Sequence, residues 1–226
     1  MPSVSKPTSR RRRNTKAETR ERLLKSALKL LESGGEAAVT TISVTRGAGI
    51  GQSAFYIHFS NVEECLAIVA ERTTDEIREV VATARRGRLE AAPHGEKELE
   101  AIYSDLLTLV SRTKSIHRLL LRYRSDRLAF NGVMYRFARG LSEDLEEHLT
   151  QQAVQLGCKA PPADWIAAVA DHLVAVSLAA IEAHLDRRGP PPDVSARLLA
   201  VVSDGLWKAA LNEMKKGQDR KMSKGR

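Results

Sequence analysis

Gln52, Ser53, Tyr56 and His58 are the side chains whose types and spacing suggest chemistry. They follow two glycines, Gly49 and Gly51, in one short stretch. A glutamine can pair bidentately with adenine, and a serine can pair with several bases. Tyr56 and His58, further along, can meet phosphate oxygens, which fix position without specifying sequence. Gly51 lets a backbone come close to what these groups touch. This is chemistry of recognition, not of bond making. No nucleophile, base and orienting third group can be assembled, so no catalytic residues and no enzyme are expected. His117, His148, His172 and His184 form no HxxxH, CxxC or ExxH pairing, so neither a metal site nor a cofactor is expected. Asp171 and His172 are adjacent, and neighbours on a helix point apart.

Groups of this kind need a helix to present them and a second helix to brace it. The stretch Thr41 to Asn61, TISVTRGAGIGQSAFYIHFSN, supplies both. Thr40 or Thr41 can cap a short helix that stops at Gly49. The sharp turn then needs a residue tolerant of positive φ, and Gly49 is one. Val44 and Ile50 can plug a small core, while Ile50, Ala54 and Phe55 give the next helix, Ile50 to Ile57, an apolar face. Thr40, Thr41, Arg46 and Asn61 are further expected DNA-binding residues. The pattern is a helix-turn-helix that enters a DNA major groove. A rival reading exists, because Gly49-x-Gly51-x-x-Ala54 fits a relaxed dinucleotide fingerprint with Val39 to Val44 as its strand. That motif needs a second strand carrying an acid about 20 residues on. Here Glu63 to Ala84 is helical and charged instead.

Charge supports a polyanionic partner. Of the net +8, residues 1–25 carry nine basic and two acidic groups, and residues 215–226 six and one, leaving a mildly acidic body. Localised charge points to an arm that finds a polyanion, and Arg10, Arg11, Arg12 and Arg13 form it. Two cysteines make neither a disulfide framework nor a metal site. With no apolar leader and no uncharged run of membrane-spanning length, the expected location is the cytoplasm, with no membrane partner.

The rest of the chain reads as helix, nine in all. Residues 1–14 are expected to be disordered. A Thr15/Glu18 capping box starts the first helix near Lys16, and Gly34-Gly35 ends it. Ser60-Asn61 starts the fourth, which runs to about Arg86. Gly87 to Gly95 breaks the chain. Further helices carry Leu99 to Val110, Leu119 to Leu121, Val133 to Leu149, Trp165 to Leu185, and a last one capped by Asp193. The tail after Lys216 is expected to fray. The domains expected are a basic arm (1–14), a DNA-binding head (15–62), an effector-binding and dimerisation body (63–214) and a basic tail (215–226).

From Thr19 to Leu66 the sequence resembles the TetR family of transcriptional repressors. The match rests on Leu23 to Leu31, Gly35, Ala48-Gly49-Ile50 at the turn, and Phe55-Tyr56-x-His58-Phe59. It departs where the family usually has Ala (Thr45) and often a phosphate-contacting Lys (Val62), which moves the phosphate grip to Asn61 and the arm. The resemblance implies an all-α, nine-helix fold, with a three-helix head joined to a six-helix body by helix 4. It also implies that the last two helices pair with their twofold mates. Small residues on helix 8, among them Ala175 and Ala179, fit close helix approach, and helix 9 adds Leu198, Val202 and Leu206. A homodimer matches a palindromic double-stranded operator.

The run Arg118-Leu119-Leu120-Leu121-Arg122, with Phe130 and Phe137, is similar to repressors of unsaturated fatty acid synthesis, which implies a long-chain acyl thioester or another lipid-like effector. Leu106, Leu107, Val110, Met134, Phe137 and Leu141 are the expected pocket walls. The alternative is a helical interaction module that binds nucleic acid or an anionic surface non-specifically through its tails. That reading predicts binding that survives loss of the third helix.

Overall fold

The computed structural model describes residues 9–89, 95–158 and 161–224, with side chains over 16–84, 95–158 and 161–218. Among these there are nine α-helices, one 3₁₀ turn and no strand. The helices are α1 (Ser9–Gly34), α2 (Thr41–Ala48), α3 (Gln52–Tyr56), α4 (Val62–Leu89), α5 (Glu96–Arg112), α6 (Lys114–Tyr123), α7 (Leu128–Gln155), α8 (Ala163–Leu185) and α9 (Pro192–Lys224). The all-α class and the helix count agree with the periodicity of the apolar residues.

The chain forms two compact units. The first is Met1–Arg72 with Ser115–Val133, and the second is Thr73–Lys114 with Met134–Arg226. The first unit takes in the first turns of α4, and it gains α6 and the start of α7. Ionic and hydrogen-bonded ties explain the gain. Glu32 of α1 caps α6, its carboxylate accepting from the Ser115 and Ile116 amides at 2.9 and 3.3 Å. Tyr123 donates to Glu36 at 3.0 Å, and Arg127 pairs with Glu36 at 3.0 Å while lying over the Tyr123 ring.

The core of the first unit joins Leu23, Leu24, Ala27 and Leu31 of α1 to Val44 of α2, Phe55 of α3 and Phe59, all buried. In the second unit α5 and α8 pack along α9. Its core includes Leu145, Leu149, Ile166, Leu173, Trp207, Leu211 and Met214. Arg78 of α4 donates two-pronged to Asp144 of α7 at 3.0–3.1 Å, with a further bond to the Gly140 carbonyl.

Several helix ends differ from expectation. α1 begins at Ser9, so residues 9–14 extend it rather than forming a disordered arm, and the helix passes straight through Thr15. The segment holds no proline or glycine, and arginine is a good helix former. Residues 1–8 and the Arg10–Arg13 side chains lie outside the described residues. α9 runs on to Lys224 instead of fraying after Lys216, its last turns being rich in Lys, Arg, Gln and Met. α4 continues through Gly87 to Leu89. By length and composition α8 is apolar enough to cross a membrane, although it carries Asp171 and Glu182. One face of it, including Ile166, Val169, Leu173 and Ile181, is buried in the second unit.

Candidate functional site

The head presents its polar groups through a turn of defined geometry. Thr40, in extended backbone, accepts from the Ser43 amide at 3.1 Å, and Ser43 Oγ accepts from the Thr40 amide at 2.8 Å. α2 ends at Gly49, which is left-handed at φ 63° and ψ 41°. The Ile50 amide then donates to the Thr45 carbonyl at 3.0 Å and closes the helix. Thr45 stands where the resembling family has alanine, yet it is buried without cost in unpaired groups. Its hydroxyl bonds within the helix to the Thr41 carbonyl at 2.8 Å.

α3 is shorter than the expected Ile50 to Ile57, spanning five residues after Gly51. Ile57 remains αR but lies beyond its last hydrogen-bonded turn. Phe55 is fully buried, so the opposite face is forced outward. Gln52 and Ser53 are exposed, and Tyr56 is 59 % exposed with its ring edge-on to Phe55. Gly51 adopts φ −65°, and a Cβ there would meet no atom within 4 Å. Nothing inside the chain asks for a glycine at this position. Ile57, which has no polar group to mark it in the sequence, is 64 % exposed beside Tyr56.

His58 is half-buried, and its pKa is lowered, first by burial and then by the positive charges of Lys16 and Arg20. Burial and these charges therefore disfavour its imidazolium form. Lys16 and Arg20 are functional candidates missed from sequence. They lie one turn apart on α1, and Arg20 also sits 5.4 Å over the Phe59 ring. A basic i,i+4 pair just ahead of the apolar stripe was the available signal.

Asn61 is exposed but already engaged. Its Oδ1 accepts from the Glu64 amide at 2.8 Å, and the Glu64 carboxylate accepts from the Ser60 amide at 2.6 Å. This reciprocal cap starts α4 and holds the Glu64 carboxyl below its ordinary range. The Asn61 amide nitrogen is the side-chain donor left for an outside partner. Arg46 is exposed in an open basic concavity with Arg22, Lys25 and Lys29 of α1, and Gln52, Ser53 and Tyr56 do not line it. Thr41 lies half-buried in the first turn of α2.

Two cavities lie within the second unit. One, about 50 Å³, is walled by Ile77 and Val81 of α4, Leu106 of α5, Phe137 and Leu141 of α7, and α8 residues. The expected wall residues Leu106, Phe137 and Leu141 meet there. Leu107, Val110 and Met134 line neither cavity, and Leu107 and Val110 are core. The other, about 60 Å³, has a polar end formed by His148, Gln152, Ser203, Asp204 and Trp207. None of those five was anticipated, because α7 and α9 contribute them from positions that read as plain helix faces.

Of the expected dimer residues, all but Leu206, which packs against the core, are exposed. Ala175 and Ala179 of α8 are exposed, as are Leu198 (54 %) and Val202 of α9, while Leu206 is half-buried. Val176, Val194 and Val201 extend the apolar exposure.

Comparison with known proteins bears on both units. Residues 23–69 match the family profile described as bacterial regulatory proteins, tetR family. No curated relative matches the chain by sequence. Among solved structures, a tetR-family transcriptional regulator from Streptomyces coelicolor is 16% identical over 88% of this chain and 89% of its own, with a TM-score of 0.67. A TetR-family regulator from Syntrophomonas wolfei is 13% identical over 84% and 95%, with a TM-score of 0.64. The multidrug binding protein EbrR, complexed with imidazole, is 18% identical over 81% and 93%, with a TM-score of 0.60. At these identities the structural likeness establishes a shared fold. Residues 23–69 thus match the DNA-binding domain of the tetR family of bacterial regulatory proteins, and the rest of the chain shares the fold of the solved structures.

Proposed function

We propose that this regulator is a dimeric transcriptional repressor that reads a palindromic operator and is released from it by a small hydrophobic effector. The observation that carries the DNA reading is the outward face of α3. Gln52, Ser53 and Tyr56 stand in solvent on a helix whose opposite side is anchored by fully buried Phe55. Open space at Gly51 suits close approach of a base edge or phosphate. Lys16, Arg20, Thr40, Thr41, His58 and the Arg10–Arg13 segment supply the surrounding phosphate grip. Arg46 serves from the neighbouring basic concavity, and Asn61 through its remaining amide nitrogen.

The apolar stripe of α8 and α9 is the surface for a second copy. Val194, Leu198, Val201 and Val202 recur at helical spacing along α9 and are exposed. Solvent-facing apolar residues in such a row favour burial against a like helix. Two heads related by a twofold axis then reach grooves about 34–36 Å apart, or a multiple of that.

Effector binding in the second unit favours one of two states, and it can do so only through a difference in affinity between them. The apolar cavity beside Ile77 and Val81 brings the effector against α4, the helix that continues from the head. Selection from random duplex DNA tests the reading. The protein should enrich one twofold-symmetric site, and enrichment of no sequence would overturn it in favour of non-specific binding through the tails.

A further inference from the structure

The two cavities of the second unit share Leu99, Ile102, Tyr103, Leu145 and Leu173 as walls, so they adjoin end to end. One is apolar throughout apart from Tyr103 and Ser177. The other carries the polar groups. Tyr103 and Ser203 hydrogen-bond to each other at 2.6 Å, and buried Gln152 stands on the facing α7. Asp204 is paired at 2.6 Å with Lys208, which does not line the cavity. Trp207 is only 7 % exposed, and its indole N–H has no hydrogen-bond partner. A buried donor without an acceptor is a costly feature unless a ligand supplies one.

This lining discriminates between headgroups. No lysine or arginine lines the polar cavity, while the Asp204 carboxylate does. A carboxylate or phosphate head would lie beside that like charge, with His148 as the only basic side chain in the lining. A cationic head would compete with Lys208 for Asp204 and leave the Trp207 N–H unmet. An uncharged head with a carbonyl or hydroxyl oxygen meets that N–H and avoids both penalties. We propose that the body binds an uncharged amphiphile, with its chain in the apolar cavity and its head oxygen accepting from Trp207 Nε1. The assignment rests on the reading of this unit as the effector domain. At about 50 and 60 Å³ the cavities hold a few water molecules each, well short of an ordinary ligand pocket. Occupation therefore displaces the shared walls, Tyr103 and Leu145 among them, and this displacement lets the ligand act on the surrounding helices.

The sequence has two tryptophans, so a Trp165→Phe protein reports Trp207 fluorescence alone. That protein is titrated at pH 8 with dodecanamide, dodecan-1-ol, dodecanoate and dodecylamine below their aggregation limits. The two neutral compounds should bind at least tenfold more tightly than either charged one and should shift the Trp207 emission. Trp207→Phe, followed by calorimetry and checked for folding by circular dichroism, should weaken dodecanamide about tenfold. Asp204→Asn should narrow the gap between dodecanamide and dodecanoate. Dodecanoate or dodecylamine binding as tightly as dodecanamide would overturn the proposal. So would an unchanged dodecanamide affinity in folded Trp207→Phe. If that variant does not fold, the ligand series on the Trp165→Phe protein decides alone. Release of DNA is measured separately. A neutral ligand that binds without releasing DNA contradicts the repressor mechanism and leaves this assignment standing.

Discussion

A methyl group on Gly47 of α2 would lie 2.3 Å from the Ser26 hydroxyl oxygen of α1. The same buried hydroxyl donates to the Val44 carbonyl at 2.9 Å. α1 and α2 therefore meet so closely that a glycine is kept inside a helix, where it is about 1 kcal/mol worse than alanine. This approach fixes the brace on which α3 is mounted. Gly47→Ala should destabilise the head by about 1–3 kcal/mol through overpacking. Adding Ser26→Ala should recover much of that loss, because the remaining Cβ approach is an ordinary 3.5 Å. Denaturant melts of the two single variants and the double variant give the coupling directly.

His58 gives the head a pH signature. Its pKa is lowered by burial and by Lys16 and Arg20, so the free protein disfavours its charged form. Phosphates arriving beside it raise its pKa, and binding then takes up a proton. Operator affinity should strengthen as pH falls from 8 to 6, by at most about tenfold per pH unit for one linked proton. His58→Asn should flatten that component. Folding responds with the opposite sign. A histidine with a lowered folded-state pKa destabilises the fold once pH drops below its unfolded value, so the measurement belongs where thermal melts show the head intact.

Glu64 makes a complementary prediction about stability. Its carboxylate accepts from the Ser60 amide, and its pKa is lowered by that bond. The stabilisation is full above the ordinary carboxylate range and is lost as pH falls through the folded-state value. Glu64→Ala should cost about 0.5–1 kcal/mol near pH 7, as caps do. The difference from the parent should shrink in acid, as followed by thermal melts.

The proposed dimer surface is tested by charge. Leu198→Asp with Val202→Asp should give a folded monomer by light scattering and circular dichroism, with operator affinity lowered by orders of magnitude. A dimer that survives both substitutions places the interface elsewhere.

Most of the fold was legible because its cues are local. Gly49 was readable as a positive-φ turn, and the apolar spacing of α1 gave its buried face. The Gly47–Ser26 approach was not readable, since it joins residues far apart in sequence, and Gly47 looks like any other exposed position on α2. The same holds for Glu32 capping α6, which ties α6 to α1 within the first unit. Helix ends went astray where charge was read as disorder. The arginines near Ser9 and the lysines near Lys224 are also good helix formers. In the candidate site, the exposure of Gln52, Ser53 and Tyr56 was legible because α3 must hide Phe55. Trp207 was missed because its neighbours in space come from three other helices.

The basic segment is separable from the recognition helix. Deleting residues 1–13 should weaken operator binding and lower the slope of log affinity against log salt, by about 0.9 for each phosphate no longer neutralised. Sequence preference should be retained, because phosphate recognition carries none.

Whether the outward face of α3 reads bases is tested most directly by one comparison. The affinity of Gln52→Ala is measured for the selected operator and for the same operator altered at single base pairs. The wild-type protein should lose about 1–3 kcal/mol on alteration of the base pair read by Gln52, whereas Gln52→Ala should bind both sequences alike. A Gln52→Ala protein that keeps wild-type affinity and discriminates at every base pair as before would rule out base reading by this face.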